Sequence, residues 1–589
     1  MLGKIIEIEG DKIKVKLDIN IYEIDNLIGK NVIFEESNKK IVGEIEDIEL
    51  TNLSINIIGQ IEDNNFTFGS IIKPSFKTPC RIISNEEMKV IFQNDEGTNS
   101  ISIGKSLIYD NYRIGLDINT FFSNHFAILG NSGSGKSYST SKIIQSIFYE
   151  AKDPIPFRTN IFLFDAYGEY QSAFNNIGQN NININYKVIT TDLKSTEYQH
   201  LCMPFWLLGT DDIALLLNAD NTNQIPLIEK ALKLVGYFTK EEEYVLEQKN
   251  DIIARSILDI IFSGKNPNEI RNKLTSILTK FKTKDINLDI VLAKGGWSRT
   301  LRQCIFVDES GKFADIEVVI NYLEQFTQNE FELTLPDGSF QYGLKEFSLA
   351  LEFALINEGI FTSDKVFDYS NALKIRLNTL INSDYANYFN YPTFITKEGY
   401  IRELLTAAGG RKAQIINFNI NYIDDRFAKT LVKIYSKILF DYLANLPNRA
   451  SMSFHILLEE AHRYVQHDID LELFGYNIFE RIAKEGRKYG VILGLISQRP
   501  SEISETAISQ CSNFLVFKMF HPKDLEFITS ILPNINKNLI NRLKTFSSGT
   551  CITYGSAFKM PVIVNIDVPN PTPLSQNISI DKIWYVKQN

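Results

Sequence analysis

One short stretch constrains this chain more than any other, the run ILGNSGSGKS at residues 128–137. From Gly130 its spacing is G-x-x-x-x-G-K-S, the pattern of a loop whose backbone N–H groups wrap phosphates. In this pattern Lys136 reaches the β and γ phosphate oxygens, and Ser137 binds Mg²⁺. The stretch therefore predicts a site for a nucleotide and Mg²⁺. The residues assigned to it are Gly130, Asn131, Ser132, Gly133, Ser134, Gly135, Lys136, Ser137 and Tyr138.

The flanks of the loop favour a nucleotide site over a chance glycine-rich turn. HFAILG before it is a short apolar run typical of a buried strand, and SYSTSKIIQSIFYEAK after it has helical periodicity. A further strand pattern, NIFLFDAYGEY, follows at 160–170, and strand patterns return at 413–420, 454–460, 490–498 and 513–519 with helical patterns between them. This alternation predicts an α/β core built on a parallel sheet.

Other regions have different patterns. The first hundred residues consist of short alternating isoleucine- and valine-rich runs, which predict a small β-barrel, and 101–120 continues the extended pattern as a bridge. Long helical periodicity between about 205 and 400 predicts a helical insertion, while the end of the chain is rich in proline. The predicted divisions are a barrel at 1–100, the two parts of the core at 101–204 and 401–558, the insertion at 205–400 and a tail at 559–589.

Composition narrows the class of protein. With 44% hydrophobic and 22% charged residues the chain is an ordinary globular protein. Its five cysteines form no C-x-x-C pair, which favours a reducing cytoplasm over a disulfide framework. No apolar run is long enough to span a bilayer, so we expect a soluble protein without membrane contact. A net charge of −10 argues against coating nucleic acid with the whole surface, but it leaves room for a locally basic pore.

Two glutamates end the strand pattern FHILLEE. A phosphate loop needs a second carboxylate site at the end of a neighbouring strand. We expect Glu459 to hold Mg²⁺ through water and Glu460 to act as the general base on the attacking water. An acidic pair at a solvated strand end is the alternative.

The next strand pattern, GVILGLISQRP, ends in polar residues. In a parallel sheet that end faces the nucleotide, so Gln498 could bind the γ-phosphate or the attacking water, or simply be a polar strand terminus. The helix before it carries a basic face, which either is solvated or supplies an arginine to the phosphate bound by an adjacent subunit. Its basic residues are Arg481, Lys484, Arg487 and Lys488.

Four motifs in order, HFAILGNSGSGKS, FLFDAYGEY, ILLEEAHRY and IAKEGRKYGVILGLISQRP, resemble the HerA branch of the HerA/FtsK ATPases over most of the chain. The resemblance implies a RecA-like core with a barrel of the HAS type and a tail that braces a neighbouring subunit. It implies ATP and Mg²⁺ as cofactors. Carried over, the catalytic residues are Lys136, Glu460 as base, Gln498 as sensor and Arg487 as the arginine acting between subunits.

The resemblance also implies function and partners. It implies a homo-hexameric ring that hydrolyses ATP and moves double-stranded DNA through its pore as a translocase or helicase, with an effector docked on the barrel face. In the family that effector is a NurA-type nuclease in DNA end processing, or a nuclease or sirtuin-like NAD hydrolase in antiphage defence.

One departure from the family pattern is Glu459, where the family usually has aspartate. The extra methylene could shift the water-mediated Mg²⁺ contact and make turnover slow or effector-dependent. A second hypothesis is therefore an ATP-binding ring scaffold that assembles and activates an effector with little translocation. A conjugative or division-type pump is a further alternative, but such relatives generally carry membrane helices.

Overall fold

The computed structural model describes most of the chain. The described residues are 1–18, 27–36, 39–49, 51–70, 72–92, 100–109, 112–149, 155–179, 181–239, 243–327, 334–336, 338–358, 364–532, 537–575, 580 and 584. Much of the predicted tail segment after residue 575 therefore lies outside the described residues. The chain divides into two compact units, one of residues 1–200, 402–468 and 477–589 and one of residues 201–401 and 469–476.

The first unit begins with a closed barrel of six antiparallel strands. Alternation of buried and exposed residues explains it: in KIKVKL, Ile13, Val15 and Leu17 point inward and the lysines outward. The sheet order is β2-β1-β7-β3-β4-β5, with a pairing of β2 to β5 that closes the barrel and β6 added beside β5. The strands are β1 (Gly3–Glu9), β2 (Lys12–Leu17), β3 (Asn31–Glu35), β4 (Lys40–Glu49), β5 (Asn52–Glu62), β6 (Asn65–Phe68) and β7 (Pro79–Ile82).

The same unit then forms the first half of the core. Its elements are α1 (Asn85–Phe92), β8 (Ser100–Ser106), β9 (Arg113–Asp117), α2 (Ile118–Phe122), β10 (Phe126–Leu129), α3 (Lys136–Tyr149), β11 (Ile161–Asp165), α4 (Gln171–Phe174), β12 (Tyr186–Thr190) and β13 (Gln199–His200). The segment predicted as a bridge supplies β8 and β9, which pair with each other at one end of the core sheet.

The second unit is mainly helical. Helix α8 illustrates how the sequence specifies a helix here. The side chain of Asn266 accepts from the amide of Asn268 and caps the start, and Pro267 occupies the first turn. Apolar residues from Ile270 to Leu278 form the buried face. The elements from here to the return of the core are α5 (Thr210–Leu216), α6 (Gln224–Thr239), α7 (Glu243–Ile261), α8 (Pro267–Lys280), β14 (Val291–Lys294), β15 (Trp297–Thr300), α9 (Leu301–Cys304), α10 (Ile316–Leu323), α11 (Leu344–Glu358), α12 (Asp364–Ile381) and α13 (Lys397–Leu404).

The core is completed after residue 414. The elements are β16 (Ile415–Asn419), α14 (Asp425–Ala444), β17 (Phe454–Glu459), α15 (Asp470–Phe474), α16 (Ile478–Tyr489), β18 (Val491–Ser497), α17 (Glu505–Ile508), β19 (Asn513–Phe517), α18 (Pro522–Ile531), α19 (Lys537–Arg542), β20 (Thr550–Gly555) and β21 (Val562–Ile566). Of these, α15 belongs to the mainly helical unit. Residues 562–566, which the sequence pattern assigned to the tail, form a strand of the core sheet.

The core sheet has twelve strands in the order β13-β12-β16-β11-β17-β18-β10-β19-β20-β21-β8-β9. Every pairing from β13 to β19 is parallel, and those from β19 to β9 are antiparallel. Strands β10, β11, β17 and β18 are buried along their whole length, as expected for a parallel sheet covered on both faces. The predicted α/β class, parallel sheet, barrel and helical insertion are confirmed.

No helix within the described residues is both long and apolar enough to span a membrane.

Candidate nucleotide-binding and hydrolysis site

The strand order brings the predicted site residues to one edge. Strands β11, β17, β18 and β10 are consecutive neighbours, and all four are parallel. Their carboxyl ends carry Asp165, Glu459 with Glu460, Gln498 and Gly130 respectively. In open parallel sheets ligands bind in the crevice at this edge. The phosphate loop, the acidic pair and the polar glutamine are thus placed beside one another.

The phosphate loop is closely packed from behind. A Cβ atom at Gly130 would lie 2.5 Å from Cβ of Phe517, and one at Gly135, where φ is 112°, would lie 2.9 Å from the amide nitrogen of Gly549. The hydroxyl of Ser548 donates to the carbonyl oxygen of Gly133 over 2.9 Å. Only glycine fits at Gly130 and Gly135, so the backbone can curl tightly against Phe517 and Gly549.

Lys136 is a buried cation at the start of α3, 8% exposed. Its ammonium donates to the carbonyl oxygen of Asn131 over 3.0 Å, and among the described residues no carboxylate lies within 4 Å of it. Burial lowers the pKa of Lys136, while Glu460, Glu459 and Glu169 act in the opposite direction. The buried ammonium of Lys136 therefore has no anionic partner in direct contact among the described residues, and the oxygens of a triphosphate would supply one.

Ser137 lies next to a residue that sequence reasoning did not assign to the site, Glu169. Burial raises the pKa of the Glu169 carboxyl group, while the nearby Ser137 hydroxyl acts in the opposite direction. Among the described residues no group of three His, Cys, Asp or Glu side chains is arranged to hold a metal by itself. Mg²⁺ at nucleotide sites is usually held by one or two protein oxygens together with phosphates and water. Ser137 is the residue that would contact it.

Asp165 organises the loop that carries Glu169. One oxygen accepts hydrogen bonds from the amides of Gly168 (2.7 Å) and Glu169 (3.1 Å), and the other from the amide of Tyr170 (3.0 Å) and the side chain of Asn417 (3.2 Å). The spacing in DAYGEY thus has a direct cause, since one carboxylate caps three successive amides. The motif FLFDAYGEY, which contains Asp165, is visible in the sequence, but there it supported only the family resemblance.

Glu459 faces the same loop. It is 4% exposed, and its Oε2 accepts a hydrogen bond from the amide of Ala166 over 3.0 Å. Burial, followed by the nearby Asp165, raises the pKa of Glu459 well above its usual value. Burial therefore disfavours the charged form of this carboxyl group. Its assignment to Mg²⁺ stays a prediction.

Glu460 and Gln498 are in direct contact, because the Gln498 side-chain nitrogen donates to Oε1 of Glu460. Glu460 is 4% exposed and has a left-handed backbone, with φ at 51°. That conformation is unusual for a residue other than glycine and is concentrated at functional sites. The proposed base and the proposed sensor thus form one unit.

Arg487 lies far from this edge. It is an exposed residue in the last turn of α16, just before β18 begins at the opposite edge of the sheet. The seven residues of β18 separate the two edges by roughly 23 Å at about 3.3 Å per residue. Arg487 therefore cannot reach the phosphate loop of its own chain. Arg481 stacks over Phe440 and lies 3.8 Å from Glu485, as expected of a residue on a structural face of the helix.

The segment after β21 is attached to the site. The buried side chain of Gln145 on α3 accepts from the amide of Asn570 and donates to the carbonyl oxygen of Pro571. Further along, the amide of Leu574 donates to the carbonyl oxygen of Glu169 over 2.8 Å. Residues 570–574 thus connect the helix of the phosphate loop with the loop that carries Glu169.

Comparison with known proteins agrees with this geometry. Residues 101–298 match the family model described as the central domain of the helicase HerA. The chain is 22% identical to the DNA double-strand break repair helicase HerA of Pyrococcus furiosus over 89% of this chain and 78% of that protein. It is 25% identical to the protein of the same name from Sulfurisphaera tokodaii, over 84% and 74% of the two chains.

Among solved structures, VirB4 of Thermoanaerobacter pseudethanolicus is similar over 81% of this chain and 98% of that one, at 12% identity and a TM-score of 0.41. The order of the motifs, the phosphate loop beside the acidic pair and the match to the HerA model over residues 101–298 lead to one assignment. Residues 101–298 carry a HerA-type central domain, and the chain is similar to HerA helicases over most of its length.

Proposed function

We propose that this protein is an ATP-driven translocase or helicase for double-stranded DNA that works as a homo-hexameric ring in the cytoplasm. The observation that carries the proposal is the meeting of Lys136, Glu460 and Gln498 at one sheet edge, where a triphosphate and a water molecule could be held together. The HerA relatives are named as DNA double-strand break repair helicases, which supports DNA as the substrate.

The roles of the residues follow from their chemistry. Lys136 and the loop amides bind the triphosphate, and Ser137 would hold the Mg²⁺ that neutralises phosphate charge, with Glu459 as its predicted partner through water. Glu460 removes a proton from the attacking water, and Gln498 orients that water or the γ-phosphate. Arg487, which is too distant to serve its own nucleotide, contacts the nucleotide of an adjacent subunit.

We further propose that the barrel face carries an effector, a nuclease or a sirtuin-like NAD hydrolase, and that the protein acts in DNA end processing or antiphage defence. Support for this part comes from the family resemblance alone.

The test is the ATPase rate with and without duplex DNA, with Lys136→Ala as the inactive control. A motor is expected to be stimulated several-fold, and its affinity for duplex should be independent of sequence and should fall steeply with salt, because phosphate contacts release counterions. ATP binding without stimulation by DNA would favour the scaffold hypothesis. Strong base preference or affinity insensitive to salt would contradict tracking along the DNA backbone.

A further inference from the structure

The carboxylate of Glu460 is held on one side only. Its Oε1 accepts from Gln498, whereas its buried Oε2 has no hydrogen-bond partner among the described residues. A buried acceptor left without a partner is destabilising. Nδ1 of His462 lies 3.3 Å from this Oε2, close enough for a hydrogen bond after a small rotation.

The His462 ring is itself fixed by the neighbouring strand. Its Nδ1 lies 3.0 Å from the hydroxyl oxygen of Ser497, the last residue of β18. That hydroxyl oxygen also accepts from the amide of Arg499 over 3.0 Å. A short helical turn brings the histidine back over the glutamate, since the amide of Arg463 donates to the carbonyl oxygen of Glu460. The imidazole therefore bridges the ends of β17 and β18 at the base.

A primary amide nitrogen carries two N–H groups, and Gln498 holds Oε1 of Glu460 with one of them only while its side chain keeps this orientation. When its side chain turns towards a γ-phosphate or a water molecule, Oε1 of Glu460 loses its partner. The terminal torsion of a glutamate is broad, so a carboxylate without partners would lose its orientation. His462, whose Nδ1 lies within reach of both the Ser497 hydroxyl and Oε2 of Glu460, is the side chain positioned to keep that orientation.

We propose that His462 is a positioning residue for ATP hydrolysis, donating from Nδ1 to Oε2 of Glu460 while Gln498 engages the nucleotide. This inference rests on the proposed function. It predicts that His462 acts in turnover more than in the resting protein, because Gln498 already holds Glu460 before nucleotide binds.

The experiment compares three substitutions, His462→Ala, His462→Asn and His462→Gln. An asparagine amide nitrogen occupies the place of Nδ1, whereas a glutamine nitrogen extends to the place of Nε2. We expect alanine and glutamine to lower kcat about ten- to hundredfold with KM unchanged, as small displacements of a catalytic group do, and asparagine to retain most activity. His467→Ala, an 84% exposed histidine, is the matched control.

A binding measurement supplies a readout besides turnover. Affinity for ADP with aluminium fluoride, which imitates the transferring phosphoryl group, should fall in His462→Ala, while affinity for ATPγS should stay within twofold of wild type. A kcat within twofold of wild type in His462→Ala, or an asparagine variant as impaired as the alanine variant, would overturn the inference. If His462→Ala does not fold, the comparison of asparagine with glutamine decides.

The two proposals fail in different ways. A wild-type protein without ATPase activity under any condition, including duplex DNA, removes the proposed function and this inference with it. An active wild type that loses activity in Glu460→Gln but keeps it in His462→Ala removes only the inference.

Discussion

The contacts of Asp165 allow a quantitative prediction for the substitution Asp165→Asn. The carboxylate accepts four hydrogen bonds, three from consecutive amides of its loop and one from Asn417. An asparagine keeps one accepting oxygen and turns an NH₂ group towards the remaining donors, so about two of these bonds are lost. Hydrogen bonds to a charged group contribute about 1.5–3 kcal/mol each. The loop should therefore become about 3–6 kcal/mol easier to open.

Hydrogen exchange followed by mass spectrometry measures this opening directly. A change of about 3 kcal/mol corresponds to roughly a hundredfold loss of amide protection over residues 165–175, without global unfolding. Because Glu169 lies on this loop beside Ser137, affinity for Mg²⁺-ATP should fall as well. The matched control is Asp192→Asn, whose carboxylate accepts from the amide of Lys194 in a turn elsewhere. Unchanged protection of 165–175 in Asp165→Asn would refute the view that one carboxylate holds the loop.

Three further predictions concern activity, assembly and pH. Lys136→Ala should abolish ATP hydrolysis, because no other cation is placed by the motif to reach the phosphates, and near-normal turnover of the purified variant would contradict this. Arg487→Ala and Glu460→Gln should each be inactive yet regain part of the activity when mixed as exchanging subunits; no recovery despite proven exchange would exclude action between subunits. Burial raises the pKa of Glu44 from 4.5 to about 7, so its contribution to stability is complete below about pH 4.5 and is lost as pH rises through 7. In hydrogen-exchange experiments at pH 8, the amides of β4 should therefore be better protected in Glu44→Gln than in wild type, by up to about 3 kcal/mol in opening free energy. At pH 4 the two proteins should be equally protected. The exposed Glu49→Gln should show no such dependence on pH.

The strand ends were predictable because they depend on local patterns. A phosphate loop after an apolar run and a carboxylate pair after another apolar run each specify the end of a buried strand, and parallel strands bring such ends to one edge. The contact of Gln498 with Glu460 follows from that placement. The strand patterns do not predict the orientation of the side chains at these ends. The side chain of Glu459 turns towards Ala166, and this contact joins residues 293 positions apart in the sequence.

The sequence analysis did not predict the role of Asp165 or the antiparallel part of the core sheet, and the two have different physical reasons. Asp165 acts through backbone amides of its own loop, and such a cap leaves no signal in hydrophobic periodicity. The place of the antiparallel strands β8, β9 and β21 in the core sheet was not predicted for another reason. The antiparallel part of the sheet is assembled from segments at both ends of the core sequence, with Val564 opposite Ser106, so no local pattern shows that they belong together.

The acidic character of the site affects Glu459 through its buried position and its neighbours. Glu460, Glu459 and Glu169 lie near the buried Lys136, Asp165 lies beside Glu459, and a triphosphate would add further negative charge. Four ionised carboxylates in such a place would repel one another and the ligand. Burial and the nearby Asp165 raise the pKa of Glu459, while its Oε2 accepts from the amide of Ala166. An aspartate at this position would be one methylene shorter, about 1.5 Å, and could not keep that 3.0 Å contact without movement of the loop. The glutamate therefore belongs to the arrangement of the Asp165 loop, and any Mg²⁺ contact through water must compete with that arrangement.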